Sequence, residues 1–346
     1  MNGGRTVSTG FGLLLDKPPG ASSHDLVDFV RYALRGYKVG HAGTLDPFAT
    51  GLLLVLVGDA TKAMPFVVGH DKRYVATVVL GAATDTGDPT GTVVDARPVP
   101  DRVWQGLSEV VAGLVGTLHL RPPAYAAVKV GGVAAHVRAR RGESVPLEAR
   151  PMEIHDAELL RVDPARCEAD LALHVGAGTY VRSLAEHLGE RLGVPAHTAS
   201  LRRVAIGRHT VDDPRTVGPW VVEARGRDRR GKPRVRVRPC GLEGADRDRL
   251  AEHLVARAVS LDELLDLPVV DLPDADVGRL ARGQPAELPA WGAQEPAPPK
   301  GGNVLVRQGP GGRGAGRIVA RWGPEGASEG ARGGRLEPVR LLVRPA

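Results

Sequence analysis

Hydrophobic residues in the first two thirds of the chain come in short runs separated by turn-forming residues, a pattern typical of alternating strands and helices. Strands are predicted at residues 11–15, 52–57, 72–80, 170–175 and 196–208. Helical spacing predicts helices at residues 26–34, 103–115, 181–192, 247–258 and 261–265. The chain shows no internal repeat, so this order of elements indicates an α+β fold.

Two helix starts carry capping signals. Ser22 followed by Asp25 matches a capping box. The turn Gly176-Ala177-Gly178-Thr179 leads into the helix predicted at 181–192, and Thr179 is the expected N-cap. The helix after this turn therefore has a well-defined first turn.

The pattern changes after residue 268. Short apolar strands at 269–270, 304–306, 318–320 and 341–343 lie between Gly- and Pro-rich loops, which predicts a small all-β module. The length of 346 residues agrees with two domains. We therefore expect one domain over residues 1–265 and a second over 268–346.

Composition excludes several classes of protein. Hydrophobic residues make up 42% and charged residues 25%, which are ordinary globular values. The two cysteines, Cys167 and Cys240, are far apart, which argues against a disulfide scaffold or a cysteine zinc site and suits a reducing cytosol. No apolar run approaches the roughly 18 residues of a membrane helix, and the N-terminus lacks a signal-peptide pattern. We expect a cytoplasmic protein with no membrane partner.

Positive charge is concentrated in one stretch. The net charge is +6, and residues 224–239 contain eight basic residues and a single acid, Asp228. Such a stretch attracts polyanions, nucleic acid first. A solvated basic linker without a dedicated partner is the alternative.

The segment Gly40-His41-Ala42-Gly43-Thr44-Leu45-Asp46-Pro47 is the strongest candidate for chemistry. Its glycines permit tight turns, and Pro47 biases Asp46 toward an extended backbone. A carboxylate on such a stiff loop suits a nucleophile or a general base. On spacing alone, an ordinary Asp-Pro turn remains the alternative.

The wording of several segments resembles the bacterial tRNA pseudouridine synthases of the TruB family. These segments, in chain order, are LLLDKPPGASSHD, GHAGTLDPFATGLLLVLVGDATK, DKRYVATVVLGAATDTGD, RPPAYAAVKVGGVAAHVRARRGESVPLEARP, GAGTYVRSLAEHLGERLG and AHTASLRRVAIG. They cover the chain from Phe11 to about Gly207. The region after residue 268 resembles, more weakly, the family's PUA-type RNA-binding domain.

The resemblance implies a fold and an activity. It implies a mixed, largely antiparallel sheet, an RNA-gripping insertion at 121–150 and a PUA-like domain at 268–346, with 224–239 as a basic linker. The implied reaction converts uridine 55 of the tRNA T loop to pseudouridine by base flipping, without cofactor or metal. The implied partner is the tRNA T stem-loop, with no obligatory protein partner and a monomeric chain.

The resemblance also assigns roles to individual residues. Asp46 aligns with the catalytic aspartate, which acts at ribose C1′ or takes a sugar proton; the sequence leaves both routes open. Arg182 aligns with its partner arginine, expected to keep the carboxylate ionised. Tyr74 aligns with the active-site tyrosine, on which a flipped base would stack. The other implied substrate contacts are His41, Tyr180 and Leu201, and for Lys17-Pro18 we favour a structural role.

The chain departs from the family pattern at Ala126, Val133 and His136 in the insertion. The basic stretch at 224–239 has no clear counterpart; it either extends the tRNA contact or is a passive linker. Alternative functions are an RNA-binding or chaperone protein without turnover, a guide-RNA-dependent synthase, and an aspartate-dependent hydrolase. Asp46, Arg182 and Tyr74 together favour the stand-alone isomerase.

Overall fold

The structure is a computed structural model and describes residues 10–123, 129–130, 133–134, 147–227, 233–288, 302–309, 316–324 and 334–343. Most of the insertion predicted at 121–150 lies outside these residues, including Ala126 and His136, and Val133 is described only as part of a two-residue strand. No helix in the described part of the chain is long and apolar enough to cross a membrane.

The strands are β1 Gly10–Lys17, β2 Val39–His41, β3 Thr50–Gly58, β4 Lys72–Leu80, β5 Ala82–Thr84, β6 Val93–Ala96, β7 Gly116–Leu120, β8 Lys129–Val130, β9 Val133–Ala134, β10 Arg150–Asp163, β11 Glu168–Val175, β12 Ala196–Ile206, β13 His209–Thr210, β14 Trp220–Arg227, β15 Pro233–Pro239, β16 Val269–Leu272, β17 Ala286–Leu288, β18 Asn303–Gln308, β19 Arg317–Pro324 and β20 Gly334–Val343. The helices are α1 Ser23–Ala33, α2 Met64–Val68, α3 Asp101–Ala112, α4 Val181–Leu192, α5 Arg247–Val255, α6 Leu261–Leu265 and α7 Asp274–Ala281, with a 3₁₀ helix at Asp59–Ala63.

A nine-stranded sheet forms the centre of the described fold, in the order β1-β3-β12-β4-β11-β10-β7 with β2 on β3 and β13 on β12. The pair β3 and β12 runs parallel. The other described pairs of this sheet are antiparallel. The prediction of a mixed, largely antiparallel sheet in an α+β fold is confirmed.

Strand β3 is covered on both faces, which explains its continuous apolar sequence. Side chains alternate along a strand, so Leu53 and Val55 pack with α1. Leu52 and Leu54 pack on the opposite face with α2 and α6. The polar loop that precedes β3 is therefore attached to one of the most buried strands of the protein.

A second sheet has the order β16-β18-β19-β20-β17, and its Leu305, Val319 and Leu342 share a buried cluster with Leu52 and Leu54 of β3. The predicted strands of this region are confirmed. The prediction that it is all-β is wrong, because α7 packs here through Val277 and Leu280. Two buried positions in an eight-residue helix give too short a periodic signal to detect from sequence.

The basic stretch at 224–239 is folded in its described part, so its interpretation as a linker is wrong there. Strands β14 and β15 form an antiparallel hairpin whose Trp220 and Val237 are buried beside Phe29 of α1; residues 228–232 lie outside the description. Arginine and valine alternate along β15. Counting the charges concealed this period of two.

Candidate active site

Asp46 lies on the loop between β2 and β3. Gly43 adopts a left-handed φ of 96° in this loop, a conformation that favours glycine. The Ala42 amide donates to Leu54 O (2.9 Å), and the Ala49 amide donates to Asp46 O (3.1 Å). The backbone around Asp46 is thus tied to β3 on one side and closed into a turn on the other.

Two buried side chains from the opening strand and helix hold the same loop. Ser23 Oγ donates to Leu45 O (3.2 Å) and accepts from the Leu45 amide (2.9 Å). Lys17 is fully buried, and its Nζ donates to Ala21 O (2.6 Å) and Pro47 O (3.2 Å). Burial lowers the pKa of Lys17 to about 8. The expected structural role of Lys17 therefore includes holding the residues on either side of Asp46 in place.

Arg203, which the sequence did not single out, fastens the loop from the third side. Its guanidinium is buried, and Nε donates to Leu52 O (2.7 Å) while Nη2 donates to Gly43 O (3.1 Å). Gly51 has a φ of 99°, and a Cβ there would lie 2.2 Å from the Arg203 carbonyl oxygen. Close approach of β3 and β12 at this point requires glycine.

Arg182 projects from the first turn of α4 toward Asp46. Its Nε lies 3.0 Å from Asp46 Oδ2, and the arginine side chain is 5% exposed. Thr179 was expected to cap this helix, but that prediction is wrong: Tyr180 is the N-cap residue without a side-chain capping bond. Thr179 Oγ1 donates instead to Glu153 O at 3.4 Å.

A second carboxylate faces Arg182, and the sequence reasoning missed it. Asp88 Oδ2 lies 3.5 Å from Arg182 Nη1, which also donates to Thr86 O at 2.9 Å. Asp88 Oδ1 accepts from Thr86 Oγ1 and the Thr90 amide. The signal was present as the polar turn Thr84–Asp88, whose carboxylate the sequence alone could not direct toward Arg182. The arginine thus bridges two acids and a carbonyl.

Burial raises the pKa of Asp46, and this effect outweighs the opposing effect of Arg182. Asp88 adds to the rise because its negative charge disfavours ionisation of Asp46, while Lys17 opposes it. The cation expected beside Asp46 is present, yet the pKa of this carboxyl lies above the ordinary aspartate value. Asp46 is therefore set up to exchange protons more readily than an exposed aspartate.

A cleft of about 410 Å³ opens at this pair and is lined by Asp46, Pro47 and Phe48, by residues of the turn 85–92, and by Arg182. Tyr74 and Leu201, each 8% exposed, belong to the adjoining buried cluster, against which the partly buried Tyr180 packs. The structure thus brings Asp46 and Arg182 into contact and places Tyr74, Tyr180 and Leu201 next to them in the core.

His41 lies at the end of β2 and is oriented toward α1. Its charged neighbours include His24 and Arg31, and burial lowers its pKa. The His41 Nδ1 atom is buried and has no hydrogen-bond partner among the described residues. His41 is therefore neutral near pH 7 and offers an unused polar atom. The described residues contain no group of three or more His, Cys, Asp or Glu side chains arranged for a metal ion.

Solved structures share this fold. A chain in the crystal structure of a Cbf5-Nop10-Gar1 complex matches with a TM-score of 0.64 at 22% identity, covering 97% of this chain and 85% of that one. A chain in the structure of an H/ACA RNP bound to a substrate RNA containing 2′-deoxyuridine matches with a TM-score of 0.62 at 20% identity, covering 97% and 86%. The fold is that of the pseudouridine synthases.

Sequence comparison narrows the class. The N-terminal domain model of the TruB family pseudouridylate synthases matches residues 31–181. A tRNA pseudouridine synthase B from Sodalis glossinidius is 36% identical over 335 residues, which cover 96% of this chain and 95% of the relative. Another from Arthrobacter sp. is 41% identical over 209 residues, covering 59% and 68%. The chain belongs to the TruB family of pseudouridylate synthases.

Proposed function

We propose that this TruB-family enzyme isomerises uridine 55 in the T loop of tRNA, with Asp46 as the carboxylate that acts at the ribose. Isomerisation of uridine to pseudouridine in tRNA is the activity of its relatives, which are named tRNA pseudouridine synthase B. The observation that carries the assignment of Asp46 is its contact with the buried Arg182 at the opening of a cleft of about 410 Å³.

The reaction exchanges one bond for another. The bond from C1′ to N1 of uracil breaks, the base rotates, and a bond from C1′ to C5 forms. The C5 proton is then lost and N1 gains a proton, so no electrons or atoms are transferred overall. Asp46 either attacks C1′ as a nucleophile or removes a sugar proton; the geometry of the loop suits both routes.

Arg182 and the adjoining hydrophobic side chains have distinct proposed roles. Arg182 favours the ionised form of Asp46, which both routes need, and fixes the direction of the carboxylate. Tyr74 and Leu201 supply the flat and apolar surfaces on which a flipped uracil packs, and Tyr180 lies beside them. His41 contacts the RNA from the α1 side of the loop.

The wider organisation is also a proposal. Residues 1–265 form the catalytic part and residues 268–346 a PUA-like RNA-binding part, with the insertion at 121–150 gripping the T stem-loop. The chain acts on cytoplasmic tRNA as a monomer without an obligatory protein partner. The 36% identity to a tRNA pseudouridine synthase B over nearly its whole length supports this more than the likeness to chains from multiprotein complexes does.

A tritium-release assay tests the position of modification. The enzyme is incubated with a tRNA transcript carrying tritium at uridine C5, and tritium released to water is counted. We expect release from the wild-type transcript and none above background from a transcript with cytidine at position 55, since the reacting base is then absent. Release from both transcripts would place the target uridine elsewhere.

The rate should decrease at acidic pH with a midpoint above that of an ordinary aspartate, about 3.9. The reason is that burial raises the pKa of Asp46, and the protonated acid is inactive in both routes. Single-turnover tritium release measured across acidic pH gives the midpoint, with circular dichroism at each pH as the control for folding. A midpoint at or below the ordinary value in folded enzyme would contradict the role of burial.

A further inference from the structure

A groove of about 520 Å³ lies between α1 and the hairpin of β14 and β15, apart from the cleft at Asp46. Helix α1 contributes the aromatic side chains Phe29 and Tyr32, and the hairpin contributes Arg225, Arg234, Arg236 and Arg238. Neither the motifs nor the proposed reaction accounts for this surface.

The hairpin holds its arginines on a fixed surface. Trp220 packs edge-on against Phe29 with ring centroids 5.2 Å apart, and Val237 is buried in the same cluster. Side chains two residues apart point to the same side of a strand, so Arg234 and Arg236 share a face of β15. Both are exposed. This face offers a row of positive charges to a partner without first having to be ordered.

Arg238 has an unused donor in the groove. The residue is only 7% exposed, and its guanidinium lies 4.8 Å from the centroid of the Tyr32 ring. Its Nε atom is buried and has no hydrogen-bond partner in the part of the chain that is described. Unsatisfied buried donors are rare in folded proteins. An acceptor oxygen supplied by a ligand would complete this atom's bonding.

The acidic residues of α1 that also line the groove already have partners. Asp25 accepts from Ser22 in the capping box, and Asp28 lies 3.1 Å from Arg31. Arg225 pairs with Glu223 at 3.2 Å on the exposed surface. Arg234 and Arg236 form no ion pair with any described carboxylate. The groove therefore retains net positive charge.

We propose that this groove is a second RNA contact, which binds successive phosphates of the substrate tRNA. Guanidinium groups match phosphate oxygens in shape and charge, and the half-exposed Tyr32 offers a face for a base or sugar. Ser23, the first residue of α1, bonds to the loop of Asp46. RNA bound along α1 would thus continue from the catalytic loop, which favours tRNA over an acidic protein. This inference rests on the proposed tRNA activity.

The test compares two variants with the same loss of charge. One carries Arg225→Ala, Arg234→Ala and Arg236→Ala; the control carries Arg102→Ala, Arg166→Ala and Arg191→Ala, three exposed arginines outside the groove. Fluorescence anisotropy with full-length unmodified tRNA gives Kd between about 50 and 200 mM salt.

We expect the groove variant to raise Kd at least about tenfold more than the control does and to lower the salt slope by about 3, one for each lost phosphate contact. Its single-turnover rate at saturating enzyme should stay within about twofold of wild type, because Asp46 and Arg182 are untouched. Equal changes in both variants, or no change in the salt slope, would overturn the proposal. Binding is measured without turnover, so a wild-type enzyme that releases no tritium would refute the proposed activity and leave this comparison intact.

Discussion

Asp46→Asn is expected to lower the single-turnover rate of tritium release by at least about 10³-fold, because an amide neither attacks C1′ nor accepts a proton at neutral pH. Affinity for tRNA should stay within about threefold of wild type, since phosphate contacts dominate RNA binding. Rates at saturating enzyme and Kd from anisotropy separate the two quantities.

The matched control is Asp85→Asn, which removes the same charge from another carboxylate that lines the cleft. Asp85 accepts a hydrogen bond from the Thr92 amide and does not pair with Arg182 in the described structure. It should therefore keep most of the activity. An Asp46→Asn enzyme that retains a tenth of the wild-type rate would show that another group performs the step at the ribose.

Asp46→Asn should not destabilise the protein. A carboxyl whose pKa is raised by folding stabilises the fold below its unfolded pKa, and that contribution is lost as pH increases through the folded pKa. At pH 7 the ionised Asp46 thus lowers stability relative to a neutral group of the same shape. The free energy of unfolding of the Asn variant should equal or exceed that of wild type.

The strands and the catalytic loop were predictable because their signals are local. The run at 52–57 is apolar over consecutive residues, and Asp46 lies between glycines and a proline in one short segment. Strand β10, which the sequence analysis missed, is largely polar and exposed along its fourteen residues, so no periodic burial marks it.

The contacts that position the loop were not predictable, because they join residues far apart in sequence. Arg203 reaches Gly43 across 160 positions, and Arg182 reaches Thr86 across 96. Any buried arginine in a strand or helix would have looked the same in the sequence. The resemblance to a family named Arg182 as a partner of Asp46, while Arg203 and Asp88 follow only from the folded geometry.

Arg182→Met is expected to affect both stability and catalysis, since it leaves Asp46 and the buried Asp88 without their shared cation. Removing one member of a buried ion pair costs about 3–5 kcal/mol. Chemical denaturation at neutral pH measures this loss, and it should decrease as pH is lowered. The sign follows because loss of Arg182 raises the folded pKa of Asp46 further, and the protonated acid is then the form that folding favours.

Arg182→Lys separates the structural role of the arginine from its role in positioning Asp46. Lysine keeps the charge, but its single nitrogen cannot bond Asp46 Oδ2 and Thr86 O in the way that two guanidinium nitrogens do. Most of the stability should return, while the single-turnover rate stays at least about tenfold below wild type because the carboxylate is misdirected. Recovery of the full rate together with stability would mean that Arg182 serves only to neutralise buried charge.

A double-mutant cycle links the two residues directly. In an Asp46→Asn background, Arg182→Met no longer leaves the Asp46 carboxylate unpaired, so its cost in stability should be smaller than in wild type. The cost should not vanish, because Asp88, 7% exposed in its side chain, still loses its cation. Additive costs in the cycle would show that the 3.0 Å contact between Arg182 and Asp46 carries no energy, and the site would then have to be assigned around Asp88 instead.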